Sequence, residues 1–289
     1  MLTNYTVSAF ADEISESLDV QMKVLKQHGI QHIEVRGIAG RSIVEYSLAE
    51  IQQFKQILDE NQFRVSSIGS PIGKIMITDA FEEHLTLFKH TLEIARIFQS
   101  PFIRMFSFYI PENVDANQFE TEVIRRWQSF LKEAEAYEVT LLHENEKGIY
   151  GDTAERCYTL VSRLNSDKVK LAFDPANFVQ CQEEVFPKAY ELLKSEIAYL
   201  HIKDALAETG EVTPAGLGDG QVKEVLAALA REDFQGFASL EPHLTIFEGF
   251  ANLEKNQVDL REQPDGIRTF TVAAEALKGL FKTIDQEWK

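Results

Sequence analysis

The sequence predicts an α/β fold, a (β/α)8 TIM barrel of eight parallel strands, each followed by a helix, with residues 1–289 forming a single domain. Three observations lead there. Short apolar runs of strand type alternate with longer runs of helical period along the whole chain, eight of each, with no break in composition and no linker. Strands separated by helices call for parallel crossovers, and 289 residues suit one eight-stranded barrel better than a smaller open sheet. Finally, four polar residues close four successive apolar runs, where a barrel would place its catalytic lip.

Tyr5 to Phe10 reads as the first strand, and a helix from Ser17 to His28 follows, with Leu18, Met22, Val24 and Leu25 on its apolar side and Gly29 as its stop. His32–Arg36 is the second strand and Leu48–Glu60 the second helix. Arg64–Ile68 is the third strand, ending at Gly69-Ser-Pro71, and Phe81–Phe98 is a long amphipathic helix. Phe102–Phe108 is the fourth strand, and a helix over Asn117–Tyr137 leads into the fifth, ending at Glu144. Helices over Thr153–Leu164, Pro187–Ser195 and Gln221–Glu232 lead into strands ending at Asp174, His201 and Glu241, and Arg268–Phe281 closes the chain.

The four closing residues are 30, 27 and 40 positions apart, each step long enough for a helix, a strand and two loops. Burying a carboxylate or imidazole there is costly unless it is paired or bound to metal. Taken singly, each would most simply cap the next helix or pair with a lysine. Taken together, a Glu/Asp/His/Glu set at one depth suits one divalent metal ion per chain, Mn²⁺, Mg²⁺, Co²⁺ or Zn²⁺. Strand alternation puts Leu142, Glu144 and Glu146 on one face, so Glu146 competes with Glu144 for the ligand role, whereas His143 has opposite parity and reads as packed or exposed.

Composition narrows the partners. A net charge of −17 and the absence of a basic stripe argue against nucleic acid. No stretch approaches the ~20 apolar residues of a membrane span. The opening residues lack the pattern of a secretory leader, and Cys157 and Cys181 are too few for a disulfide framework, so a cytoplasmic protein is expected. The expected partner is a small, sugar-like substrate, with a homo-oligomer as the assembly to test for.

The chain resembles the xylose-isomerase-like barrels, the sugar phosphate isomerase/epimerase superfamily that also holds the endonuclease IV type. The resemblance covers essentially the full length and rests on Leu142-His-Glu-Asn145, Phe173-Asp-Pro-Ala-Asn-Phe178, His201-Ile-Lys-Asp204 and Ser239-Leu-Glu-Pro242. It implies Glu144, Asp174, His201 and Glu241 as ligands of one divalent metal, and proton transfer beside a carbonyl through an ene-diolate, with Glu144 and Glu241 as base and acid. The chain departs from the pattern at Asn177, where relatives often carry His, and after Asp204, where ketose epimerases tend to carry Arg. Both count against a free-ketose 3-epimerase. A lyase dehydrating a keto-polyol or cyclic keto acid is the alternative on this scaffold. An endonuclease IV-like phosphodiesterase ranks lower, for want of extra histidines and a basic groove, and a non-enzymatic binder would leave the ligand set without a purpose.

Arg104, Asn177 and Lys203 are expected to bind substrate, with an ion pair to Asp204 as the plainer role for Lys203, and Asp204 is expected to orient His201 from behind. Arg104 and Arg36 share the mouth-facing depth, where they either hold a substrate carboxylate or phosphate or pair with Glu34 or another acid, while His243 and Glu13 are weaker candidates at the rim. Gly216–Gly220 reads as a turn or, less simply, as a phosphate site at a helix start. Pro71–Asp79 and Leu244–Gly266 are candidate lids.

Overall fold

The structure, a computed structural model, describes residues 5–244 and 265–287. Eight parallel strands, β1 (Tyr5–Ala9), β2 (His32–Val35), β3 (Arg64–Gly69), β4 (Phe102–Met105), β5 (Thr140–Glu144), β6 (Val169–Phe173), β7 (Ile197–Ile202) and β8 (Gly236–Leu240), form one nearly closed barrel. From β2 to β8 each strand pairs with the next in sequence, β8 pairs with β1, and at the open β1–β2 seam there is an isolated parallel bridge from Phe10 to Glu34. Because helices cover the outer face and side chains fill the inner one, the strands are buried on both sides and read as near-continuous apolar runs.

Around the barrel lie α1 (Leu18–Gln27), α2 (Leu48–Glu60), α3 (Glu82–Phe98), α4 (Glu120–Ala134), α5 (Ala154–Leu164), α6 (Pro175–Gln180), α7 (Tyr190–Leu193), α8 (Val222–Arg231) and α9 (Asp265–Thr283). The expected helix over Pro187–Ser195 is shorter than the sequence suggests. Phe186 is extended (φ −133°, ψ 131°), and an irregular turn over Val185–Ala189 delays regular helix until Tyr190. Instead α6 starts directly after β6, with Asp174 as its N-cap and Pro175 at its first position, a signature readable in the sequence. The fourth strand also stops early, at Met105, and Phe108 turns into the left-handed region (φ 69°). Two-residue hairpins, Gly37–Ile38 with Arg41–Ser42 and Asp204–Ala205 with Val212–Thr213, decorate the loops. Of the candidate lid at Leu244–Gly266, residues 245–264 lie outside the described residues.

The large core lies between strands and helices. Inside the barrel, Leu142, Ala172 and Tyr199 form a separate apolar cluster, with Phe102 and Phe237 packed against it. Ser66 and Ser8 extend this layer, with the Ser66 hydroxyl 2.9 Å from the Tyr199 hydroxyl and 2.6 Å from that of Ser8. The two-residue strand repeat then places Glu144, Asp174, His201 and Glu241 directly above Leu142, Ala172, Tyr199 and Ser239. The packed layer is thus the floor on which the polar site stands.

Candidate metal centre

Glu144, Asp174, His201 and Glu241 are all buried, and one ligand atom from each lies within 4.8 Å of every other. The His201 imidazole Nδ1 is the hub, at 2.9 Å from Glu144 Oε1, 3.7 Å from Glu241 Oε2 and 3.9 Å from Asp174 Oδ2. Two ligands each about 2.1 Å from a common ion stand about 3.0 to 3.4 Å apart, between a right angle and a tetrahedral one. The observed spacings need only small adjustments to meet that. His201 Nδ1 is also buried without an aligned hydrogen-bond partner, which is costly for a group of this polarity, and Asp174 Oδ2 has the Lys203 ammonium at 2.8 Å as its counter-charge. One nitrogen and three carboxylate oxygens therefore fit a divalent ion of the Mn²⁺, Mg²⁺, Co²⁺ or Zn²⁺ type.

Each ligand is held from behind. Asp174 divides its oxygens: Oδ1 accepts from the Asn177 backbone N–H at 2.9 Å and caps α6, leaving Oδ2 for the cluster. Asn145 fixes the same turn, donating from Nδ2 to the Asp174 carbonyl and accepting from its N–H, both at 2.9 Å. The Asn177 side-chain amide donates to Glu144 Oε1 at 3.2 Å and to the Asn145 carbonyl at 2.9 Å, so it positions a ligand rather than facing the mouth. Glu34, fully buried on β2, stands behind His201, its Oε2 3.3 Å from Nε2. The alternating pattern of the second strand was the available signal for Glu34, which was noted only as a partner for Arg36.

Two expectations at the end of β7 are corrected. Lys203 is not paired with Asp204; its Nζ lies 2.8 Å from Asp174 Oδ2 and 2.6 Å from Glu241 Oε2, tying two ligands together. Strand alternation explains this, because residues 201 and 203 point inward and 204 does not. Asp204 does not orient His201. Its carboxylate accepts from the N–H groups of Ala205, Gly216, Gly218 and Gly220 at 2.7 to 3.2 Å. The amides proposed for a phosphate are thus occupied by the chain's own carboxylate.

Charges set the protonation states. Burial opposes ionisation of Glu144, but His201 and Arg104 outweigh it and bring its pKa down to about 2. Burial likewise opposes the Glu241 carboxylate, yet Lys203, His243, His201 and Arg36 hold it well below the usual range. Asp174 goes the other way, pushed up to about 6 by burial that Lys203 only partly offsets. Burial would lower His201, but Glu144 and Glu34 raise it well above an ordinary histidine.

Above the cluster opens a cavity of about 160 Å³ whose lining includes Glu144, Glu241, Arg104, Arg36, Lys74 and Glu146. Asn177 and Lys203, expected to bind substrate, are not among its lining residues. Arg104 Nε stands 3.3 Å from Glu144 Oε2. Glu146 pairs with Lys74 at 3.4 Å and lies outside the group of four that could hold an ion, whose β5 member is Glu144. His143 is packed behind β5, 2.9 Å from the Ser107 hydroxyl, with burial pushing its pKa to about 3. Glu13, Glu241 and His243 form a second close trio, but Arg36 already supplies the cation there, reaching Glu13 at 3.1 Å and Glu241 at 3.3 Å.

The candidate lid at Pro71–Asp79 is an anchored wall. The Gly73 N–H donates to His84 Nε2 at 2.7 Å, and Arg126 Nη2 donates to the carbonyls of Ile77 and Asp79 at 2.8 and 2.9 Å. Gly73 adopts φ +93°, and a Cβ there would meet the Phe106 carbonyl oxygen at 2.1 Å.

The family model for the xylose isomerase-like TIM barrel matches residues 22–263, and the chain belongs to that family. No curated protein sequence matches it. Among solved structures, it is similar to a D-tagatose 3-epimerase-like protein (TM-score 0.75, 18% identity, covering 97% of this chain and 98% of that one). It is also similar to the IOLI protein with a binding zinc atom (TM-score 0.74, 14% identity, 96% and 99% covered). A third likeness is to the probable 3-DHS dehydratase AsbF of Bacillus anthracis (TM-score 0.72, 15% identity, 95% and 98% covered). At these identities the likeness is one of fold.

Proposed function

We propose that this protein is a divalent-metal-dependent isomerase or epimerase of a small sugar-like molecule, working by proton transfer beside a carbonyl. The observation that carries this reading is that Glu144 and Glu241 each divide their oxygens between two environments. Glu144 Oε1 and Glu241 Oε2 face His201, whereas Glu144 Oε2 faces Arg104 and Glu241 Oε1 faces Arg36, at the mouth cavity that both residues line. A divalent ion in the cluster would polarise a carbonyl and stabilise negative charge on an ene-diolate.

The chain's own groups supply the remainder. Glu144 takes a proton from the carbon beside the carbonyl and is left protonated. A proton is returned to carbon from the Glu241 side of the cavity, through a Glu241 carboxyl that must first take one up from solvent, giving an isomer or epimer. Both carboxylates have lowered pKa values, so they are modest bases and need an acidified C–H. Lys203 holds Asp174 and Glu241 at fixed separation. The IOLI zinc structure and the D-tagatose 3-epimerase-like structure support this reading by likeness of fold.

Dehydration of a keto-polyol or cyclic keto acid is the second reading. It is favoured by the buried Lys203 ammonium beside Glu241, a proton source for a leaving hydroxyl, and by the fold of the probable 3-DHS dehydratase. The test is a metabolite screen in D2O with Mn²⁺-loaded protein, read by mass spectrometry and ultraviolet absorbance. Deuterium appearing beside a carbonyl in substrate or isomer, and lost in both Glu144→Gln and Glu241→Gln, is the expected result. An enone product selects the dehydratase, and full exchange in both variants removes the assigned roles.

A further inference from the structure

Arg104 is only 4% exposed, and its Nε is buried without an aligned hydrogen-bond partner. A guanidinium carries five N–H donors in a fixed plane, and even one left unmade while buried is costly. Its surroundings are one charge and two rings: Glu144 Oε2 at 3.3 Å, the Phe106 centroid at 4.6 Å and the Phe10 centroid at 5.4 Å. Space for it is made at the end of β3. A Cβ on Gly69 would come within 2.9 Å of the Phe10 ring and 3.4 Å of Arg104 Nη2.

Lys74, on the anchored wall, adds a second cation on the same aromatic ring, its Nζ 4.2 Å from the Phe106 centroid. Both cations line the mouth cavity with Glu144 and Glu241, and the proton transfer described above uses neither. The chain carries a net −17, which repels anions at long range, so cations kept in the mouth act by short-range recognition.

We propose that Arg104, with Lys74 beside it, is an anion subsite, and that the substrate is a carboxylate-bearing keto or hydroxy acid. Its acid group lies on Arg104 while its carbonyl end lies between Glu144 and Glu241. This rests on the proton-transfer reading for the orientation of the substrate. A planar guanidinium matches a carboxylate through two parallel hydrogen bonds, which a point charge does not. Carboxylate is favoured over phosphate because the loop amides of Gly216, Gly218 and Gly220, which could have cradled a phosphate, already hold Asp204.

The test is calorimetric titration of Mn²⁺-loaded and EDTA-stripped protein with D-glucuronate, D-glucose and D-glucose 6-phosphate. Glucuronate is expected to bind at least about tenfold tighter than glucose, with the ratio falling to about one in Arg104→Met. In Lys74→Met, which changes a partly exposed side chain and tests the subsite even if the arginine variant fails to fold, the ratio falls severalfold. Equal or absent binding of acid and neutral sugar, or an undiminished preference in a folded Arg104→Met protein, overturns the proposal. Tighter binding of glucose 6-phosphate than of glucuronate overturns the carboxylate assignment. The stripped protein reports the subsite by itself: failure to bind Mn²⁺ removes the isomerase reading, whereas loss of acid preference removes only this one.

Discussion

The His201 imidazole Nε2 stands 3.3 Å from Glu34 Oε2, with both side chains fully buried across the barrel from one another. That contact fixes the ring so that Nδ1 points at Glu144, Asp174 and Glu241. A carboxylate behind a ligating imidazole sets its tautomer and raises its basicity. Glu34→Ala is therefore expected to weaken Mn²⁺ binding by about 10- to 100-fold with the fold intact, while Glu34→Gln, which keeps an acceptor, loses less. Competition titration with a metallochromic dye measures this, and unchanged affinity in the alanine variant removes the role.

Lys203 bridges two buried ligand carboxylates, so removing it leaves both uncompensated. In metal-free protein Lys203→Met is expected to cost about 3 kcal/mol of stability. Added Mn²⁺ should recover part of that loss by restoring positive charge between the carboxylates. Denaturant unfolding with and without Mn²⁺ checks it. Equal destabilisation in both conditions would show that the lysine acts only by packing.

Metal binding should release protons. Burial would lower His201, but Glu144 and Glu34 raise its pKa well above the ordinary value, and burial pushes Asp174 up to about 6. Both groups must lose a proton to ligate. Affinity for Mn²⁺ should thus climb with pH, and most steeply below about 6, where both protons have to leave. The sign of the stability effect of Asp174 is opposite to that of an ordinary paired carboxylate. Its raised pKa means that its own contribution to the stability of the metal-free protein falls as pH rises from about 4 to about 6. Calorimetry in buffers of different ionisation enthalpy reads the proton count, and pH-independent binding between 5 and 7 would contradict the assignment.

Gly73 combines a positive φ with contact against the Phe106 carbonyl, so Gly73→Ala should displace the wall that carries Lys74. A loss of about 2 kcal/mol or more in chemical denaturation is expected, from strain added to the steric clash. An alanine variant as stable as the parent would show that the wall yields easily.

Much of this was readable in the sequence because two periodicities carry it. The two-residue repeat that makes β5 to β8 apolar also fixes Glu144, Asp174, His201 and Glu241 on the inner face, so strand order and this buried cluster emerge together. What was misread depends on contacts between distant elements. Lys203 and Asp204 are adjacent, and only the inward direction of residue 203 separates the ligand-bridging lysine from the loop-holding aspartate. Glu34 reaches His201 across the β1–β2 seam, 167 residues away in sequence. Phosphate-like glycines looked open because the carboxylate that fills them comes from the preceding strand end. The stability of the wall at Pro71–Asp79 comes from His84 and Arg126 on two helices, which no local pattern announces.

The central claim is that one divalent ion is held jointly by Glu144, Asp174, His201 and Glu241. Equilibrium dialysis against Mn²⁺ followed by elemental analysis tests it most directly, on the parent and on folded His201→Ala and Glu241→Ala variants. About one ion per chain is expected in the parent, with a loss of at least tenfold in affinity in each variant. No bound metal in the parent, or one ion per chain retained at full affinity in both variants, would contradict it.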